Sequence, residues 1–525
     1  MRVRAFAALV RLESLRMLRN PVLLAAVAVG LWNLWSTRSD HALLDWGGIV
    51  DSAIDSAPYP AFGAFITAFF PGSRERRYGG AASLPLPPRL RLAALLASAA
   101  AVGALATVPS GLVALRPWSD MEIAGVLSPA ALAIAPGIGA AAAAGGVALG
   151  MWTPSWTLPL LLLAVFPTYR LTWTLAFETP RIPGRGMVEG AFGLAAELLL
   201  PAGSYAPGLW GKVPGHLAFL ALLFAGCCAL ALVRAERRRG RPRLAATAAT
   251  AVFAAGTLGA YAGLEGVERR TQQSLMEGRW TADMGPVPER VCERLILEYC
   301  GYQTYESWFP YWQRTAEPVA AAVPERAHGR LPTVEQGTYA GRAPATDRAQ
   351  LLRNGTAVPD PAWDPASDWS ALLLAEKIAV AAVDAPQTLA QTPCTLHGQA
   401  RYPLLLWLVV QGVDADDGPS VLRQYLPLDL RRPSGADVAT ALAMLDRPDE
   451  EVAAALDEHW ERLVDPSSGV EAVAPLLDLE ITQQHMAEAV DLLDTGRFTV
   501  DEQEQEWFSP EDEMGVELIE TPPCT

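Results

Sequence analysis

The run Ser73-Arg74-Glu75-Arg76-Arg77 is the first stretch whose residue types could do chemistry, and Ser83-Leu84-Pro85-Leu86-Pro87-Pro88-Arg89 follows it closely. Arginine forks beside a carboxylate, in a segment stiffened by proline, can pair with charges on a soluble partner. The same arginines would also serve as a plain anchor that holds a loop on the basic side of a membrane. A second group is Cys292, Cys300, Cys394 and Cys524. An exported domain permits disulfides, and four cysteines allow three connectivities. Cys292 with Cys300 is the obvious pair. However, residues 290–300 alternate as one strand, which would hold the two Cα atoms about 26 Å apart. A turn would have to intervene, and Leu295-Ile296-Leu297-Glu298 contains no turn former. Cys227 and Cys228 lie in an apolar stretch and read as filler.

Other chemistry is thin. His328, His397, His459 and His485 are scattered, and no H-E-x-x-H, G-x-S-x-G or C-x-x-C occurs. Glu458, His459 and Glu461 read as solvated side chains of one helix rather than as metal ligands. Gly211-Lys212 is followed by Val213, not by the Ser or Thr of a nucleotide-binding loop. No catalytic residue, cofactor or metal is expected.

The elements that would carry these residues follow from charge and hydropathy. Of the 525 residues, 1–263 hold 22 Lys and Arg against 12 Asp and Glu, and 264–525 hold 19 against 45. The acidic half argues against nucleic acid, which needs a basic face. Seven apolar stretches approach the roughly 20 residues that cross a bilayer. They are 21–36, 54–71, 92–115, 128–150, 158–177, 214–233 and 244–263. The fourth is almost all Ala and Gly, which places it inside a bundle where helices approach closely. The Arg clusters before the first span, after the second and after the sixth all fall on one side if there are seven. The positive-inside rule makes that side cytoplasmic and puts the acidic half outside. The expected class is an α-helical integral membrane protein with a mostly α soluble C-terminal domain. No cleavable leader is expected, because Arg11, Glu13, Arg16 and Arg19 interrupt the first apolar stretch.

Residues 3–19 read as a helix lying on the membrane, with Val3, Phe6, Val10 and Met17 on one face. Residues 183–210, including Ala191 to Leu200, read as a helix dipping in from the outer side. This order resembles the ABC-2 type permeases, the membrane subunits of a class of ABC transporters. Residues 3–19 with Arg19-Asn20-Pro21 resemble that family's N-terminal amphipathic helix. Arg74, Glu75, Arg76, Arg77, Pro85 and Pro87 resemble its coupling loop, and 183–210 its outer helices. The resemblance implies a permease energised by a separate ABC ATPase subunit docking on residues 73–91. It also implies a second permease chain and a place in the plasma membrane.

It covers about half the chain and departs from the family in a seventh span and in Gly79-Gly-Ala-Ala-Ser83. The domains would be 1–20 as the amphipathic helix, 21–233 as a six-span bundle and 244–263 as the seventh span. Then come 264–497 as the extracytoplasmic domain and 498–525 as a disordered acidic tail. The reading from a different class is a non-transporting membrane anchor whose outer domain binds or senses something. The cluster Tyr299, Tyr302, Tyr305, Trp308, Phe309, Tyr311 and Trp312 would either grip a ligand, touch a leaflet or form a core, and the core reading is preferred.

Overall fold

The computed structural model describes residues 2–36, 45–78, 87–115, 123–153, 155, 157, 210–237, 244–276, 289–336, 355–359, 363, 368–385, 395–413, 418–426, 434–498 and 524. The chain divides into two compact units with the boundary at Pro288. The expected fifth span (158–177) and the outer helices (183–210) lie outside the described residues.

The first unit is a helical bundle: α1 (Arg2–Leu18), α2 (Pro21–Ser36), α3 (Trp46–Ser56), α4 (Pro58–Tyr78), α5 (Pro88–Leu115), α6 (Ile134–Trp152), α7 (Val213–Arg237) and α8 (Leu244–Met276). The Arg-Asn-Pro junction separates α1 from α2 by ordinary capping. Asn20 Oδ1 accepts from the Val22 amide at 2.9 Å, and Pro21 takes the first helical position. The two helices bend by 59° there. Phe6, Val10 and Met17 of the expected apolar face do turn inward, but Val3 is exposed and Glu13 joins the buried face.

Among the described residues, four helical stretches are long and apolar enough to cross a membrane: Pro88–Val113, Ala131–Trp152, Val213–Ala235 and Thr247–Leu264. The bent pair α1–α2 makes a fifth if it counts as one span. This is fewer than the seven expected. The stretch 54–71 is not among those found, because the helix restarts at Pro58 and α4 ends in Arg74, Glu75, Arg76 and Arg77. Its apolar part is therefore shorter than the roughly 20 residues a bilayer needs. The apolar part of the last helix, Thr247–Leu264, agrees with the expected 244–263, and the helix itself runs on to Met276.

The bundle centres on α6, of whose 19 residues 13 are buried. This is the Ala/Gly helix, and its glycines explain its place. A Cβ added at Gly146 would overlap the Phe65 carbonyl, one at Gly150 the Phe69 carbonyl, and one at Gly139 the Gly103 carbonyl. Real Cβ atoms essentially never come within 3.0 Å of such atoms. Small residues thus let α4 and α5 lie against α6 backbone to backbone.

The second unit is mostly helical around a small sheet. Strands β1 (Arg290–Arg294), β2 (Glu298–Tyr302), β3 (Thr333–Glu335) and β4 (Thr356–Ala357) lie in that order. The first pair is antiparallel and the other two pairs are parallel. Helices α9 (Phe309–Ala321), α10 (Asp368–Ala382), α11 (Arg401–Gln411), α12 (Gly418–Tyr425), α13 (Gly435–Leu445), α14 (Asp449–Leu463), α15 (Val473–Leu477) and α16 (Gln483–Phe498) complete it. Helix α11 is apolar all round and correspondingly buried all round, from Tyr402 to Val410. It is a core helix, and its 11 residues are too few to cross a bilayer. The aromatic cluster is core as well. Tyr305, Trp308, Phe309 and Trp312 are buried, with ring centroids 5.1 Å apart for Tyr305–Trp308 and 5.4 Å for Phe309–Trp312.

Residues 290–300 are a hairpin rather than one strand. The turn at Leu295 to Leu297 has no glycine or proline because a distant side chain holds it. The Glu317 carboxylate on α9 accepts from the amides of Ile296 (3.2 Å) and Leu297 (3.3 Å) and from the Tyr299 hydroxyl (2.8 Å). The Leu297 side chain is buried beside it. The acidic tail also departs from expectation at its end. Cys524 is buried, is disulfide-bonded, and gives its amide to the Thr395 carbonyl at 2.9 Å.

Two predictions follow from this packing. Gly146→Ala should cost about 1–3 kcal/mol, because the methyl meets a backbone carbonyl that cannot rotate away. Thermal unfolding of the detergent-solubilised chain measures it, and an unchanged midpoint contradicts the close approach. Burial, with Glu335 adding to it and Arg290 opposing it, pushes the Tyr302 phenol up to about 12. Burial and the bond to Glu317 push Tyr299 up as well. The unfolded chain loses these protons first, near pH 10. Stability from the two phenols is therefore complete below about pH 10 and is lost as pH rises through the folded-state value. Tyr302→Phe should unfold at higher pH than the parent, read by circular dichroism during an alkaline titration.

Candidate functional site: a charged seam at one end of the helix bundle

Five helices of the first unit bring charged or aromatic residues to one end of the bundle. Residues 73–78 are the last turns of α4, not a loop, and the chain becomes helical again at Pro88. Arg74, Glu75, Arg76 and Arg77 therefore stand on rigid helix. Pro87 immediately precedes α5, and Pro85 lies outside the described residues.

Arg74, Glu75 and Arg76 each reach a neighbouring helix. Arg74 Nη2 donates to Glu13 Oε1 of α1 at 2.6 Å, and Arg16 reaches the same oxygen at 3.3 Å. The Glu13 side chain is only 8% exposed while Arg74 is 48% exposed, so the acid is the sequestered partner. Glu75 accepts from Arg91 of α5, through Nη2 at 3.1 Å and Nε at 3.3 Å. Arg91 is buried at 7% exposure. Its fork binds one carboxylate oxygen through two N–H groups, which fixes the start of α5 against the end of α4. Arg76 donates to the carbonyl of Trp152, the last residue of α6. The Trp152 indole N–H donates to the Leu230 carbonyl of α7 at 3.0 Å, and the Arg234 guanidinium lies 5.5 Å over the ring. Arg77 is exposed and engaged in a further interaction.

Sequence reasoning singled out Arg74, Glu75 and Arg76 as loop residues facing a partner, and the structure places them on the end of α4. The same reasoning missed Glu13, Arg91, Trp152 and Arg234 as their companions. Glu13 carried a signal, since it is an acid at helical spacing with Val10 and Met17 on a face that should be apolar. Arg91 and Arg234 looked like topogenic arginines and nothing more.

The cysteine expectations fall in the second unit. Cys292 and Cys300 are bridged, with their Cα atoms 4.2 Å apart across the hairpin and directly opposite in register. Glu298 comes within 4.8 Å of both sulfurs, which is metal-ligand reach. The sulfurs are spent on each other, so that trio has no thiolate to offer. Cys394 lies outside the described residues. Cys227 and Cys228 are free. His459 lies 3.9 Å from Glu458, and Glu461 pairs with Arg330 instead.

Around Cys524 the second unit holds a buried cation. Arg401 Nη2 donates to the Cys524 carbonyl (2.7 Å) and the Gln399 Oε1 (2.6 Å), and Nη1 to the Asp384 carbonyl (2.9 Å). Burial pulls this guanidinium below its ordinary value, while Asp384 and Asp465 work against that.

No family model, curated protein or solved structure matches this chain.

The Glu13–Arg74 pair is open to measurement. Glu13→Gln should cost about 1–2 kcal/mol, with Arg74 recovering part of the loss by hydration at its exposed end. A cycle of Glu13→Gln, Arg74→Gln and the double variant should return a coupling of about 1 kcal/mol in thermal unfolding. Additive single effects would mean that the pair does not tie α1 to α4.

Proposed function

We propose that this chain is the membrane-spanning permease subunit of an ATP-driven ABC-type exporter. The observation that supports the reading most is the tie between α1 and the end of α4 at Glu13–Arg74. A helix bent away from the span that follows it, and fastened to the next charged helix end, makes a stiff lever rather than a floppy anchor. A separate ATPase subunit docking on residues 73–91 would push on α4, and the push would pass to α1, α5 and α6 through bonds already in place. ATP-driven closure of that partner would bias the bundle between two arrangements.

In this proposal the charged end is cytoplasmic and the chain crosses the plasma membrane seven times, the short apolar part of α4 counting as one crossing. It works beside a second permease chain and holds its second unit outside the cell. It carries no nucleotide site, so ATP hydrolysis belongs to the partner. The compact second unit favours an alternative, in which the membrane part only anchors a ligand-binding or sensing domain.

Purification of the tagged chain from native membranes separates the two. The first reading expects an ATPase subunit to be retained. It also expects assembly and ATP turnover to fall about tenfold, roughly 1.4 kcal/mol, when Arg74, Arg76 and Arg77 are all changed to Ala. Glu13→Gln, which opens the internal tie but keeps those arginines, should keep assembly with the ATPase and lose only part of the coupled turnover. Absence of any ATPase, or full turnover with the triple variant, sinks the permease reading and leaves the anchor.

A further inference from the structure

Arg234 sits in the last turn of α7, at the charged end of the bundle. Its Nε is sealed from solvent and has no hydrogen-bond partner. A buried donor on a cation is costly unless something accepts from it. The carboxylates of the seam are already engaged, Glu13 with Arg74 and Arg16, and Glu75 with Arg91. Among the described residues no acid pairs with Arg234. The Trp152 ring positions its guanidinium but carries no net charge to neutralise it.

The surroundings are built rather than loose. Trp152 is pinned by its indole bond to the Leu230 carbonyl, one turn before Arg234 on the same helix. Its own carbonyl accepts from Arg76. Two guanidinium groups from different helices are thus held at Trp152, one over its ring and one on its carbonyl. The depth is informative too. The apolar stretch of α7 ends at Ala235, and Leu230 exposes its side chain just before it. That is the level at which acyl chains give way to headgroups, and where tryptophan and arginine side chains collect. The anion available at that level is a lipid phosphate, and a planar guanidinium fork matches phosphate oxygens.

We propose that Arg234, with Arg76 beside Trp152, binds the phosphate of an anionic lipid headgroup between the ends of α4, α6 and α7. The acyl chains of that lipid lie along the apolar face at Leu230. This does not depend on an ATPase partner or on transport.

The test uses the full chain, delipidated in neutral detergent. Phosphatidylglycerol, phosphatidylcholine or inorganic phosphate is added, and thermal unfolding and lipid retention by native mass spectrometry are read. The expected result is that phosphatidylglycerol raises the melting midpoint more than phosphatidylcholine does. Arg234→Gln should lose that difference and retain phosphatidylglycerol at least about fivefold less. Arg234→Lys keeps the charge but not the fork, should fold in any case, and should retain the lipid more weakly than the parent. Equal responses to the two lipids overturn the proposal, and so does undiminished selectivity in Arg234→Gln or parental retention in Arg234→Lys. A shift by inorganic phosphate equal to that by phosphatidylglycerol overturns the lipid as occupant.

Discussion

The first unit depends on how closely α6 can be approached. Gly139, Gly146 and Gly150 leave no side chain where α4 and α5 cross, so those helices rest on its backbone. Contact at that range maximises dispersion and needs no polar group in the middle of an apolar bundle. It also sets the height of everything at the end of the bundle. Trp152 ends α6, and its position decides where Arg76 and Arg234 meet it. The chemistry at the rim is thus registered by glycines spread along α6, from Gly139 to Gly150.

At the rim the scarce resource is negative charge. Glu13 and Glu75 stand among many arginines, and each ties one helix end to another. An acid on a buried helix face would be a defect if it stood alone. Here the guanidinium of Arg74 answers it from a more exposed position, so only one of the two charges is fully withdrawn from water. That arrangement keeps much of the Coulombic gain while limiting the desolvation cost. Among the described residues of the rim, arginines outnumber acids, a balance that an anionic ligand would complement.

Local patterns were legible wherever local forces decide. The Ala and Gly stretch 128–150 was expected inside a bundle, and the structure has it as α6, buried along most of its length. The hairpin was not legible, because its turn is stabilised by Glu317, which is 20 residues from Leu297. No propensity of Leu295 or Ile296 announces a carboxylate arriving from another helix. The seam was half legible for the same reason. The run Arg74 to Arg77 stands out in the sequence, but its partner Glu13 lies 61 residues away. The helical state of residues 73–78 depends on such partners, so composition alone reads them as a loop.

Arg401 draws its second unit's construction out along the time axis. The buried guanidinium needs the Cys524 carbonyl among its acceptors, while the rest of α11 is core. A nascent chain that has delivered α11 but not residue 524 therefore holds an incompletely solvated cation at the heart of its fold. The unit can collapse early, but it cannot reach its final state until its most distal described residue has left the ribosome. Its maturation thus waits on a carbonyl 123 residues downstream of the guanidinium, and a truncation before that cysteine would present a half-built core to quality control.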